Sequence, residues 1–351
     1  MTRIALAFLL VSTVCASAQT PAHLFELPAP TGKSAVGTTR WVVTDTSREE
    51  IFAPGKKRDI EVVAWYPAAA PSSQPAPYIR DGMEEVLSFA RLARLGDAFD
   101  GLAGVTTHAT LDAVPASSPG RFPVILFQHG YTGLPSSHTA LMEDLASHGW
   151  AVLNVIHPYE ATGAMLADGT VVTFTDEKNA MRSGIMDVLN EWGPEGATME
   201  KIVAATDDAE KEKLMRGYLA ALKNTDQVVA RWTLDAKYAL DHLPASGAAG
   251  RIASKIDLTR LGVAGHSMGG KASIMAALAD PRIRAVVAID PDENGYTPVA
   301  HGPIAALKAK LLVIGKVLEE PSDVLVDLLV VFEYGHGLLL QRLARAARMA
   351  R

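Results

Sequence analysis

The sequence predicts an α/β fold in which a mostly parallel sheet carries helices on both faces. Three observations carry this reading. Short runs that are almost wholly apolar recur at 124–127 (VILF), 151–156 (AVLNVI), 261–264 (LGVA), 285–289 (AVVAI) and 311–314 (LLVI). Strands of that kind are covered on both sides, as in a doubly wound sheet. Helix-favouring stretches alternate with them, notably 226–243 and 271–278. Finally, 48% hydrophobic and 21% charged residues over 351 positions suit one large globular core and exclude a disordered chain.

Ahead of these runs, 41–43 (WVV) and 60–65 (IEVVAW) alternate with period two, which predicts half-buried strands at the start of the sheet. The turn-rich stretch 71–77 closes that unit. Between 156 and 261 lie about a hundred residues where one crossover helix would suffice. The polar, acidic part, 177–223, is expected to be a helical cap inserted over one end of the sheet.

The first residues read as a processing signal. Arg3 supplies a positive start, 4–14 form a short apolar core, and Ala16-Ser17-Ala18 is a small-residue cleavage site. The expected organisation is therefore a signal peptide at 1–18 and a catalytic-type domain at 39–351, exported to the periplasm or secreted. Cleavage would remove Cys15, the only cysteine, so packing rather than disulfides must stabilise the mature chain. A lipid anchor on Cys15 is the competing reading, and Val14 is a poor residue to precede it. The apolar run is too short for stable membrane insertion. A formal charge of −6 argues against a nucleic-acid partner, and the arginines at 342, 345, 348 and 351 read as one solvated helix face.

The chemistry is concentrated in Gly265-His266-Ser267-Met268-Gly269-Gly270. A Gly-x-Ser-x-Gly pattern alone is a weak signal. Here a predicted strand leads directly in and a predicted helix leads directly out. That context forces the serine into a tight turn with its hydroxyl exposed, and strand and helix approach too closely for side chains at Gly265 and Gly269. Ser267 is thus the candidate nucleophile. An acyl-transfer serine also needs backbone N–H donors for the carbonyl oxygen. Met268, at the start of the helix, is one; Tyr131, in the loop Gln128-His129-Gly130-Tyr131-Thr132 after a buried strand, is the other.

The serine needs a histidine base and an orienting carboxylate, expected in chain order after it. Asp290 ends the run 285–289 and is the candidate acid; Glu319, Glu320 and Asp323, one strand later, are rivals. His336, flanked by glycines after the last apolar run, is the candidate base. His301 comes too soon after Asp290, and Asp292 and Glu293 read as solvated. His129 and His266 belong to the two loops already named and are expected to support them. No histidines or carboxylates have metal-ligand spacing, so neither metal nor other cofactor is expected.

These residues resemble a known family. The segments 60–67, 127–133, 145–149 (LASHG), 265–270 and 288–291 (AIDP) look like the platelet-activating-factor acetylhydrolase and chlorophyllase branch of the α/β hydrolases. The resemblance spans about 39 to 336, apart from the insertion. It implies the α/β-hydrolase fold and a serine esterase acting through an acyl-enzyme. It also implies an acid after the strand that follows the nucleophile helix, which supports Asp290. Chlorophyllases carry Tyr-Gly-His before the catalytic histidine, matched by Tyr334-Gly335-His336. Bacterial cutinases share Gly130-Tyr131-Thr132 and 265–270, but carry the acid one strand later and a disulfide this chain lacks. The segment between Gly315 and His336 is shorter than the family pattern, and no aspartate closely follows His336. The expected substrate is a small or lipid-like ester. A serine peptidase or amidase and a non-catalytic binding protein on the same fold are the alternatives.

Overall fold

The computed structural model describes residues 25–70, 75–118, 120–291, 310–318 and 325–332. It opens with a long antiparallel hairpin, β1 (Ala35–Glu49) and β2 (Lys57–Ala68). Then come β3 (Pro75–Pro77), α1 (Glu84–Ala93), β4 (Thr106–Leu111), β5 (Phe122–Gln128), α2 (Thr139–Ser147) and β6 (Ala151–Ile156). The small hairpin β7 (Ala164–Met165) and β8 (Val171–Val172) precedes α3 (Ser183–Trp192), α4 (Glu195–Ala204) and α5 (Asp208–Ala221). The chain continues through α6 (Lys223–Asp241), α7 (Gly247–Ala253), β9 (Ile256–His266), α8 (Met268–Ala279), β10 (Ile283–Ile289), β11 (Lys310–Leu318) and β12 (Leu325–Phe332).

Among the described residues, ten strands form one sheet in the order β12-β11-β10-β9-β5-β6-β2-β1-β4-β3. The five strands from β11 to β6 are mutually parallel, as their apolar runs predict. A further apolar stretch, 325–332, pairs antiparallel, with β12 running back along β11. The order has one reversal that matters for function. After β5 the chain places β6 on one side, then crosses back to place β9 on the other. The chain therefore leaves β5 toward β6 and β9 toward β10, in opposite directions, which makes the carboxyl ends of these two adjacent strands the switch point where ligands bind in open α/β sheets.

Both faces of the sheet are buried. On one, Val62, Val124, Leu126, Val263 and Val286 pack against Ala236 and Leu240 of α6, Ile252 of α7 and Ile274 of α8. On the other, Val63, Trp65, Phe127 and Val152 pack against Met142 and Ala146 of α2. Helix α6 reaches the core because Val228, Trp232, Ala236 and Leu240 recur at helical spacing on one face. The candidate insertion 177–223 contains α3, α4 and α5.

One expectation about burial is corrected. Alternation in 60–65 predicts a half-buried strand, yet β2 is enclosed on both faces and Glu61 is fully buried. The segment between β3 and β4 covers that face, so the polar side chain of β2 points into protein. Glu61 accepts from the Met165 amide at 2.8 Å and lies 3.5 Å from Arg40, which also binds Asp81. Glu61, Asp81 and Glu85 line one cavity together with Arg80, whose guanidinium lies over the Trp65 ring.

Burial, reinforced by the Asp81 charge, pushes the Glu61 carboxyl up to about 7 and that of Glu85 up to about 8. Both then hold protons in the folded chain that the unfolded chain releases near 4.5. Stability from this source is present below pH 4.5 and lost as pH rises through the folded values. Urea denaturation should show stability falling progressively between about pH 4.5 and 8, by at least about 1–3 kcal/mol, and levelling off above that. A Glu61→Gln, Glu85→Gln double variant should flatten it; an unchanged slope would contradict the assignment.

Candidate active site

Strand β9 ends at His266 and α8 begins at Met268, which leaves Ser267 alone to turn the chain. It does so at φ 52°, ψ −124°, a conformation that residues with a β-carbon rarely adopt. The surroundings enforce it. The Ser267 amide donates to the Ile289 carbonyl at 2.9 Å, and the Ser267 carbonyl accepts from the Gly270 amide at 2.8 Å. A β-carbon on Gly265 would collide with the Gly269 carbonyl, and one on Gly269 with the carbonyls of Gln128 and His129. Both glycines are thus required by close backbone approach, and the second presses the elbow against the end of β5.

The loop after β5 meets the elbow there. A β-carbon on Gly130 would lie 2.9 Å from His266 Nδ1 and 3.5 Å from the Ser267 β-carbon. The loop is pinned by the two amides that follow Tyr131. Thr132 donates to the Glu160 carbonyl at 2.9 Å and Gly133 to that of Gly130 at 2.9 Å. Among the described residues, the buried Tyr131 amide has no backbone or side-chain acceptor. The Met268 amide, first in α8, has no intrahelical acceptor either, and it sits at the positive end of the helix. The loop and the elbow together bring Tyr131, Met268 and Ser267 to one place.

Asp290 follows β10 directly, with φ 47°, beside the carbonyl that holds the Ser267 amide. The structure thus places the candidate acid at the sheet edge next to Ser267. Among the described residues no donor engages its carboxylate. His336, His301, Asp292, Glu293, Glu319, Glu320 and Asp323 lie outside the described residues.

Four histidines surround Ser267 and the loop. His266 packs against His138, with ring centroids 5.2 Å apart. Burial lowers the His266 pKa, and Asp290 partly opposes that. Burial also holds His129, His138 and His157 down to about 4, so all three are neutral near pH 7. Among the described residues no cluster of three or more His, Cys, Asp or Glu could hold a metal ion, and no helix is long and apolar enough to cross a membrane.

Beneath the loop lies a buried charge cluster that sequence reasoning missed. Arg58 of β2 donates to Glu50 and Asp235 at 2.7 Å each, to Glu160 at 3.3 Å and to the Pro158 carbonyl at 3.3 Å. Arg231 and Trp232 also donate to Glu160. Asp235 accepts from His157 Nδ1 at 2.8 Å, and the His157 ring stacks on Trp232 at 3.9 Å. Burial opposes ionisation of Arg58 and Asp235, but their attraction outweighs it and holds both charged. Position held a signal for part of this: His157 directly follows an apolar parallel strand, at the edge where sites form. The partners from α6 and β2 had none, because only folding brings them there.

The chain matches the family model described as platelet-activating factor acetylhydrolase, isoform II, over residues 22–314. Platelet-activating factor acetylhydrolase of Cavia porcellus is 23% identical over 268 residues, 76% of this chain and 55% of the relative. That of Canis lupus familiaris is 25% identical over 272 residues, 75% and 54% respectively. This chain thus spans about half the length of these curated relatives. Among solved structures, ferulic acid esterase from Streptomyces cinnamoneus has a TM-score of 0.55 at 26% identity, covering 82% of this chain and 76% of that one.

The strain at Ser267 has a measurable consequence. Ser267→Gly should be about 1–2 kcal/mol more stable than Ser267→Ala, because glycine alone adopts this φ without cost. Thermal or urea unfolding of the two variants checks this. Gly269→Ala should lose at least about 1–3 kcal/mol, since its β-carbon meets backbone rather than a movable side chain.

Proposed function

Because the chain belongs to the platelet-activating factor acetylhydrolase isoform II family, we propose that it is an exported serine esterase that cleaves small or lipid-like esters. The observation that carries the reading is the convergence of the strained Ser267 with the unengaged amides of Tyr131 and Met268. Ser267 attacks the ester carbonyl while His336, oriented by Asp290, takes its proton. The two amides receive the negative charge that develops on the carbonyl oxygen. The protonated histidine returns its proton to the departing alcohol, and water activated by the same histidine then releases the acid.

The substrate class rests on what covers the crevice. Ile185 and Val188 of α3 form one apolar cluster with Tyr131, Met268, Val229 of α6 and Trp232. The Tyr131 ring meets Trp192 edge-on at 5.9 Å. In this reading α3–α5 are a cap, and a roofed apolar pocket suits a small acyl or alkyl group better than an extended polymer. The relatives' names denote an acetylhydrolase and a ferulic acid esterase, both consistent with carboxylic-ester chemistry. Export follows from the leader at 1–18 and is checked by N-terminal sequencing of periplasmic protein, which should begin at Gln19.

Ser267→Ala should abolish turnover of nitrophenyl esters, by about 10⁴-fold or more, and should block labelling by a fluorophosphonate. Wild-type turnover in that variant would refute the assignment. Across a series of acyl lengths, kcat/KM should favour short soluble esters over a polyester film; the reverse order would refute the capped pocket.

A further inference from the structure

We infer that His129 is a positioning residue for hydrolysis: it grips the Gly130 carbonyl and thereby turns the Tyr131 amide toward the oxyanion. The inference rests on the reading of Tyr131 as an oxyanion donor. The Gly130 carbonyl and the Tyr131 N–H belong to one peptide unit. That unit is planar and trans, so its C=O and N–H point in opposite directions. Whatever holds the carbonyl therefore aims the amide.

Two donors hold it. One is the Gly133 amide at 2.9 Å, a bond within the turn itself. The other is His129 Nδ1 at 2.7 Å. A carbonyl oxygen only accepts, so Nδ1 must carry the proton. On the opposite edge of the ring, Nε2 lies 3.2 Å from the His157 amide, which only donates, so Nε2 must be unprotonated. These two bonds admit a single neutral tautomer. They also occupy both ring nitrogens, which excludes His129 as a rival base for Ser267.

The ring itself cannot turn. It is buried against Trp232 and His157, with centroids at 5.0 and 5.2 Å. His157 is in turn fixed by Asp235 and by stacking on Trp232, and Asp235 by Arg58. The direction of one amide beside the nucleophile is thus tied to a charge cluster buried beneath the loop.

Two substitutions separate the bonds. In His129→Asn the amide nitrogen can replace Nδ1 as donor to Gly130 but cannot reach His157. In His129→Gln the side-chain oxygen can accept from His157, and nothing remains at the Nδ1 position. Loss of one oxyanion donor costs about 10²–10³ in kcat. Misaiming should reproduce much of that, so His129→Gln should lose about 10–100-fold in kcat with KM within about threefold. Its affinity for a boronic-acid transition-state mimic should fall by a similar factor, and His129→Asn should recover most of both. Equal losses in the two variants, tracking their melting temperatures, would reduce His129 to a structural role. Wild-type kcat in His129→Gln would overturn the inference.

Ser267→Ala run in parallel separates the two readings. Retained turnover there means the site itself is wrong; abolished turnover beside a fully active His129→Gln means only the positioning is wrong. Should His129→Gln fail to fold, the wild-type protein still decides. Histidine-selective nitrogen NMR should show His129 neutral with the proton on Nδ1 at pH 7, and an Nε2–H tautomer or an imidazolium would overturn the proposal.

Discussion

The candidate site depends on one close approach of backbone to backbone. Gly269, in the first turn of α8, lies against the carbonyls of Gln128 and His129 at the end of β5, with no room for a β-carbon. The same contact brings Gly130 so near the elbow that a β-carbon there would lie 3.5 Å from that of Ser267. Two amides far apart in sequence, Tyr131 and Met268, can then serve one oxygen. Donors of this kind act by being in place before charge develops, so the rigidity of the contact matters as much as its distance.

That rigidity is supplied from below. Arg58, Glu50, Glu160 and Asp235 are all buried and come from the first hairpin, the loop after β6 and helix α6. A buried ion cluster adds little net stability, because desolvation offsets most of its attraction. Removing one member, however, strands a buried charge at a cost of about 3–5 kcal/mol. Such a cluster has one low-energy arrangement. It therefore specifies where the loop carrying His157 and Glu160 must sit, and that loop binds the turn around Tyr131 through Thr132, Thr162 and His129. The apolar cluster of Tyr131, Trp192 and Trp232 covers the other side of the same turn.

Much of the fold was legible because its signals are local. Five mainly apolar runs predict five parallel strands, and all five form, since burial on both faces favours apolar side chains along the whole strand. The elbow was legible because a strand, a serine between glycines and a helix are contiguous. Glu61 was misread for the opposite reason. Alternation reports polarity along one strand, whereas its burial is decided by the segment between β3 and β4 that covers it. The direction of β12 was likewise invisible, because an apolar run carries no information about which way its neighbour runs.

By itself, then, the sequence determined which residues could do chemistry: Ser267 at an elbow, Asp290 at a strand end, and two amides beside glycines. Each follows from short-range constraints on backbone conformation and from the position of a residue relative to its own strand. Only the tertiary structure decided that β5 and β9 are neighbours, which makes their loops one site. Only it joined His129 to His157, Asp235 and Arg58, because hydrogen bonds between residues up to 177 positions apart leave no periodic trace in the chain.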